Sequence, residues 1–355
     1  MGKTAVTEYG FINAKLRTRI GGILTEDFRK SLIGSDNLED AMQILNNSGF
    51  DKSAEIWNST GDIQSVEFEL FKRHLENYRM IMKNTSGELQ SFTKLLSIKP
   101  EIENIKNAVR LWYGSQVRKR PIGYRSAYIY KNRIFEDIDW DVLINAVSYQ
   151  DIIDVFKNTI YRTAFPSGDN NNLNSGIFST EIALDKIYYT NLLEKGKILK
   201  PTDYSILKDI ITIEIDLQNI SWMIRYRHFY KMEFSEMKEI MISGGSSLQL
   251  DILEKSNDSI SSSITPADLL KKDYPELSAL SISDKHNFSG QAVLLEKLLD
   301  ETRKTKFNNL LIGYPFTVGI ILVYLFMSDR EQKFISSVLN GKNYKLSSKK
   351  IEELN

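Results

Sequence analysis

The side chains that most often do chemistry are few in this chain, and their spacing does not assemble a reaction centre. His74, His228 and His286 lie far apart, and none stands in a His-Glu-x-x-His or other metal-ligand pattern. There is no cysteine, which removes disulfides, thiolate nucleophiles and the common zinc sites. The glycine pairs Gly21-Gly22 and Gly244-Gly245 are not followed by Gly-Lys-Ser/Thr, so no phosphate-cradling loop is present and no direct nucleotide site is expected. Carboxylates are plentiful, 46 against 46 basic residues. In amphipathic helices most such groups form solvated faces rather than acid–base pairs. The expectation is a protein without catalytic residues, metal or cofactor.

Basic residues do cluster locally. Residues 117–125, VRKRPIGYR, lie near Tyr113, Tyr124 and Tyr128, and residues 221–231, SWMIRYRHFYK, are their nearest counterpart. Charge mixed with rings suits single-stranded nucleic acid. In a chain of zero net charge, though, a protein-facing edge or a solvated helix end explains both clusters better, and no nucleic acid is expected. Residues 9–22, YGFINAKLRTRIGG, combine apolar and basic character. Phe11, Ile12 and Leu16 would dock as a helix, with Lys15, Arg17 and Arg19 turned to packing neighbours or to an acidic partner.

What positions these residues is a block recurring at an offset of 115, three times in 355 residues. Phe92, Leu207 and Leu322 are apolar, as are Leu95, Ile210 and Leu325, and then Leu96, Ile211 and Phe326. Glu101, Asp216 and Glu331 are acidic, Ile105, Ile220 and Ile335 are identical, and Val109, Ile224 and Leu339 close the copies. Repeats of this length build shape and surface before they build a pocket. They divide the chain into residues 1–125, 126–240 and 241–355, each the size of a small domain.

Most of the chain reads as helix, and strand signals are thin. Thr25 is a cap-like start, and Leu38, Ala41, Met42 and Leu45 share one face. Phe68, Phe71, Leu75, Tyr78 and Met82 recur at helical spacing, as do Ile102, Ile105, Val109 and Trp112. Pro100 predicts a helix, a turn and a second helix inside the first block. Further helices are expected over 140–146, 151–161, 179–194, 204–230, 234–242, 290–304 and 317–339, with short ones over 248–253 and 266–271. Polar breaks fall at 118–125, at 165–176, and at 243–247 with the serine-rich run after it. Residues 308–328 carry no charge and are long enough to suggest a membrane span. Pro315, Gly319 and the repeat register favour a buried core helix instead. The first ten residues lack an apolar signal region, and Val6 stands where myristoylation wants serine or threonine.

The acids at 101, 216 and 331 have two readings: helix-start residues opposing the helix dipole, or partners for arginines such as Arg110 and Arg225. Three motifs bear on the choice. Tyr9-x-x-x-Asn13-Ala14-Lys15-x-Arg17, Glu103-Asn104-Ile105-Lys106-x-x-Val109-Arg110, and a tail holding Tyr324, Arg330-Glu331, Ile335, Val338-Leu339 and Gly341-Lys342 occur in that order. Together with the triplication, this resembles the C (or d) subunit of rotary V-type and A-type ATPases over nearly the whole chain.

The resemblance implies an all-α fold of three homologous bundles in a pseudo-three-fold funnel. It implies no active site, but a socket on the central stalk that passes torque between the soluble motor and the ion-carrying ring. The implied partners are the D- and F-type shaft subunits and the membrane proteolipid ring, with the membrane stator as a further candidate. The implied location is the cytoplasmic face of the membrane, peripherally bound. Tyr9, Asn13, Lys15, Arg17, Arg19, Glu101, Asn104, Arg110, Asp216, Asn219, Arg225, Arg330, Glu331, Gly341 and Lys342 would organise bundle junctions and interfaces. Lys15 stands where arginine is common, losing the planar fork. Phe334 replaces the asparagine that Asn104 and Asn219 supply, which makes the third junction more apolar. The alternatives are a helical-repeat adaptor of another complex and, less favoured, a small membrane protein anchored by 308–328.

Overall fold

In the structure, a computed structural model, residues 4–121, 123–166, 177–229, 239–245 and 288–354 are described. Every regular element among them is a helix, with no strand. Chain contacts divide them into two units, Met1–Leu199 with Ile320–Asn355, and Lys200–Gly319.

The first unit opens with α1 (Ala5–Ile20), whose Thr4 hydroxyl accepts from the Thr7 N–H at 3.2 Å. Then come α2 (Glu26–Gly34), α3 (Leu38–Asn47) and α4 (Asp51–Thr60). Thr25 and Asn37 cap α2 and α3 as their side chains predict, and Leu38, Ala41, Met42 and Leu45 are all buried. The long α5 (Ile63–Lys83) buries Val66, Leu70, His74, Tyr78 and Ile81. Phe68 and Phe71 lie off that stripe and meet the rings of Tyr128 and Tyr130 edge-on.

The first repeat block is α6 (Gly87–Leu96) and α7 (Ile98–Gln116), joined at Ser97. Pro100 sits in the first turn of α7, where a missing N–H costs nothing. α8 (Trp140–Asn145) and α9 (Tyr149–Phe156) follow, α9 starting with a reciprocal Ser148–Asp151 capping box. α10 (Phe178–Lys195) ends the contiguous part. Two helices from the other end of the chain complete the unit: α13 (Gly319–Asn343), apart from its first residue, and α14 (Ser348–Leu354). Phe334, Ile335, Val338 and Leu339 of α13 and Ile351 of α14 share one core with Leu32, Leu38, Met42, Leu45, Val66 and Leu70.

The second unit is built on α11 (Pro201–Phe229) and α12 (Phe288–Ile312), which pack together and are tied by Arg303 Nε to Glu214 Oε1 at 2.8 Å. The isoleucine-rich stretch 206–215 is helix, as its register with residues 92–96 demands.

The uncharged stretch 308–328 is not one buried helix. α12 ends at Ile312, residues 313–318 form a bend, and α13 starts at Gly319. Ile312 is 83% and Tyr314 61% exposed, whereas residues 320–325 are buried. The break follows from Gly313 and Pro315, which interrupt the helical backbone. Among the described residues no helix is long and apolar enough to cross a membrane. The expected elements over 234–238, 248–253 and 266–271, the polar stretch 167–176, the serine-rich run and His286 lie outside the described residues.

Candidate functional site: the inter-helix clamps

Of the repeated acids, only Glu101 stands in the first turn of its helix. Asp216 lies in the middle of α11 and Glu331 in the middle of α13, so neither decorates a helix start. Nor does Arg110 serve them. It makes a two-pronged pair with Glu181 of α10, Nε to Oε1 at 2.7 Å and NH2 to Oε2 at 2.9 Å. Beside it Lys106 Nζ reaches Asp185 Oδ1 at 2.6 Å, so α7 and α10 are strapped by two ion pairs a turn apart. Arg225 is on α11, and its side chain lies outside the described residues.

Glu101 instead holds backbone. Glu101 is fully buried and accepts from the Phe135 N–H at 2.7 Å, the Glu136 N–H at 3.0 Å and the Tyr161 hydroxyl at 2.6 Å. Burial raises its pKa, and those three donors oppose the rise. One turn on, Asn104 exchanges two bonds with the backbone of Tyr130, Nδ2 to the carbonyl at 2.8 Å and the Tyr130 N–H to Oδ1 at 3.0 Å. An amide is the side chain that matches a peptide group this way, donor to acceptor and acceptor to donor.

The second copy repeats the amide exchange within its own unit. Asn219 makes the same double exchange with Ile242, both bonds 2.9 Å. Asp216, fully buried, faces Gly245 so closely that a Cβ there would lie 2.1 Å from Oδ1. Gly244 has φ of 106°, which an L side chain rarely adopts. The pair Gly244-Gly245 thus belongs to a backbone clamp.

In the third copy burial raises the pKa of Glu331, against the pull of Arg73 and of the nearby Leu24 backbone N–H. Phe334 takes the asparagine's place inside the apolar core, with the Arg29 guanidinium 4.5 Å over its ring. Lys342, buried, donates from Nζ to the carbonyls of Ile33, at 2.6 Å, and Ser35, and to the Ser348 hydroxyl at 3.1 Å. Burial lowers its pKa while Asp36 opposes. At Gly341 a Cβ would meet Ile351 Cγ1 at 2.6 Å, so only glycine lets α14 approach this closely.

The α1 residues divide by helical phase. Tyr9, Ile12, Asn13 and Leu16 are buried. Phe11 does not dock: one residue before Ile12, it lies about 100° round the helix, is 67% exposed, and carries Lys15 Nζ at 5.6 Å from its ring. Arg17 turns back along α1 onto Asn13 at 3.2 Å. Arg330 sits 5.9 Å over the Phe326 ring. The basic end of α7 runs out into solvent, with Arg118 over Tyr113 and Lys119 and Arg120 exposed.

Arg19 opens a polar relay that the sequence does not reveal. Its NH1 donates to the Tyr324 oxygen at 3.1 Å, and the Tyr324 hydroxyl donates to Asn77 Oδ1 at 2.8 Å. Asn77 Nδ2 then donates to Ser328 Oγ at 2.7 Å, and that oxygen lies 3.2 Å from His74 Nδ1. Burial keeps the His74 ring neutral, and we assign its proton to Nε2, with Nδ1 accepting from the serine hydroxyl. Its burial, reinforced by Lys99 and Lys333 against Asp329, lowers its pKa to about 4. Asp329 stands 2.9 Å from Lys333 and 3.5 Å from Lys99. Against its burial these cations hold its carboxyl well below the usual range. The sequence motifs mark only Arg19 and Tyr324 of this relay, because each remaining polar group sits alone on an otherwise apolar stripe. A cleft of about 750 Å³ lies beside it, lined among others by Arg19, Arg73, Glu76 and Glu331, two charges of each sign. Among the described residues no group of three or more histidine and carboxylate side chains is placed to hold a metal.

Buried carboxylates and amides that grip backbone, and cations spent on helix ends and neighbouring helices, define an all-helical scaffold protein. The chain belongs to the ATP synthase (C/AC39) subunit family, whose model matches residues 12–354. It is similar to the C subunit of the A-type ATP synthase of Methanosphaera stadtmanae, 23% identical over 94% of this chain and 84% of that one. It is also similar to the C subunit of the A-type ATP synthase of Thermococcus onnurineus, 21% identical over 98% and 90%.

Proposed function

We propose that the chain is a non-catalytic central-stalk subunit of a rotary V/A-type ATPase, a socket joining the motor's shaft to the membrane proteolipid ring and passing torque between them. The observation that carries this reading is the family match over residues 12–354, which takes in all three clamps. The clamps support a load-bearing role. Each fixes backbone to a long helix through buried hydrogen bonds to a carboxylate, amide or ammonium group, a stiffer junction than apolar contact alone provides. The partners on this reading are the D- and F-type shaft subunits and the ring, with the stator beside them. The place is the cytoplasmic face, peripherally bound. The three-bundle organisation over 1–125, 126–240 and 241–355 belongs to the same proposal.

The test is to purify the native membrane complex and strip off the soluble motor. The chain is expected to stay with the proteolipid ring, and to bind isolated shaft subunits when added back. Its absence from both ring and shaft fractions would overturn the coupling role and leave an adaptor of some other complex.

A further inference from the structure

The first and third clamps match beyond the acid that marks them. Glu101 accepts backbone N–H groups just ahead of α8, and the Glu331 carboxylate lies by the Leu24 backbone just ahead of α2. Trp112 Nε1 donates at 2.8 Å to the carbonyl of Ala146, the residue that ends α8. Lys342 Nζ donates to the carbonyl of Ser35, the residue that ends α2. Asn104 and Phe334 occupy the intervening position in each, one gripping the crossing chain and the other packed in the core with Leu32 and Leu38. All three pairs, 101 with 331, 104 with 334 and 112 with 342, are separated by 230 residues, twice the repeat offset. What each clamp receives matches too: two short helices, α8 and α9 after the first, α2 and α3 after the third.

From this we infer that α2 and α3, at the start of the chain, are the short-helix pair of the third repeat. The third bundle then takes residues 26–47 out of the 1–125 segment, and Lys342, on the same helix as Glu331, is the residue that locks this pair onto the last long helix. The first copy receives its pair from the sequence that follows it. In the third copy the equivalent place on α13 is filled by residues 24–47. A helix pair held this way is positioned by donors and acceptors on a partner helix rather than by its own chain continuity. Leu24, which leads into this pair, has φ of 47° in the left-handed region. This inference rests on the repeat reading and not on the coupling role, and its test needs no partner protein.

Hydrogen exchange of the full-length chain, read by mass spectrometry, decides it. Lys342→Met and Glu331→Gln should each speed exchange at least tenfold across residues 26–47 and leave residues 140–156 unchanged, because a buried carbonyl loses its donor or the Leu24 N–H its nearby carboxylate. Glu101→Gln should do the reverse. Lys342→Arg, which keeps a cationic donor, should restore much of the protection that Lys342→Met loses. Acceleration spread equally over both segments, or none in 26–47, would overturn the inference. A measurement on the unaltered chain guards against variants that fail to fold. In rising sub-denaturing urea, residues 26–47 and 333–343 should open together, and protection of 333–343 after 26–47 has exchanged would equally defeat the lock.

Discussion

His74 supplies a direct measure of how the α1–α5–α13 junction is held. Its ring is 6% exposed, edge-on to Tyr78, with Nδ1 committed to accepting the Ser328 proton. Protonation would turn that acceptor into a donor facing an oxygen that already accepts from Asn77. It would also put a cation near Lys99 and Lys333, which Asp329 only partly offsets. Its pKa falls from 6.5 to about 4 for these reasons. The unfolded chain therefore binds more protons between those values, and stability is lost as pH falls from 6.5 toward 4. At about 1.4 kcal/mol for each pH unit in that window the full cost is about 3 kcal/mol, of which about 2 kcal/mol appears between pH 7 and 4.5. The buried Glu101 and Glu331 have raised pKa values, so their contribution runs the other way, with stability lost as pH rises past the ordinary glutamate range. A comparison with His74→Gln cancels them. Urea unfolding at pH 7 and pH 4.5 should show the unaltered chain losing about 2 kcal/mol more than the variant. Because the chain has only three histidines, proton NMR can follow each ring directly. The resonance missing from His74→Gln should titrate near 4. A midpoint near 6.5, or equal acid sensitivity in both proteins, would refute the neutral, hydrogen-bonded assignment.

Two glycines carry further predictions. Gly341→Ala places a carbon 2.6 Å from Ile351 Cγ1 in a buried contact. It should cost about 1–3 kcal/mol and free α14, seen as a lower melting temperature and faster C-terminal proteolysis, with Ile351→Ala restoring much of the loss. Gly245→Ala drives a carbon to 2.1 Å from the Asp216 carboxylate and should destabilise the Lys200–Gly319 unit by about 1–3 kcal/mol or more. In an Asp216→Ala background the same change should cost far less, and additive effects in that double-mutant cycle would contradict the close approach.

Local signals are legible where the chain makes its own decision. Thr25 and Asn37 cap the helices they precede, the α3 stripe is buried as its spacing requires, and Pro100 lands in a first turn. The candidate residues are legible as positions but not as partners. Charge and spacing offer Arg110 to the repeated acids, yet it pairs with Glu181, 71 residues on. Phe11 shares its apolar character with Ile12 and Leu16 but points away from both. Gly244-Gly245 reads as a loop without a nucleotide, because nothing local says that a carboxylate from mid-α11 comes to rest against it. The relay from Arg19 to His74 joins α1, α5 and α13 across 305 residues and leaves no trace in any window.

By itself the sequence determined the helical class, the places where helices start and stop, the 115-residue recurrence and the family. Those follow from caps, breakers and periodicity, which act within a turn or two of chain. Only the tertiary structure decided what the recurring acids do. A carboxylate on a helix has the same spacing whether it faces water, an arginine or a buried N–H. The choice is made when another segment, as at residues 135 and 136, arrives with an unsatisfied backbone group that must be paired before it can be buried.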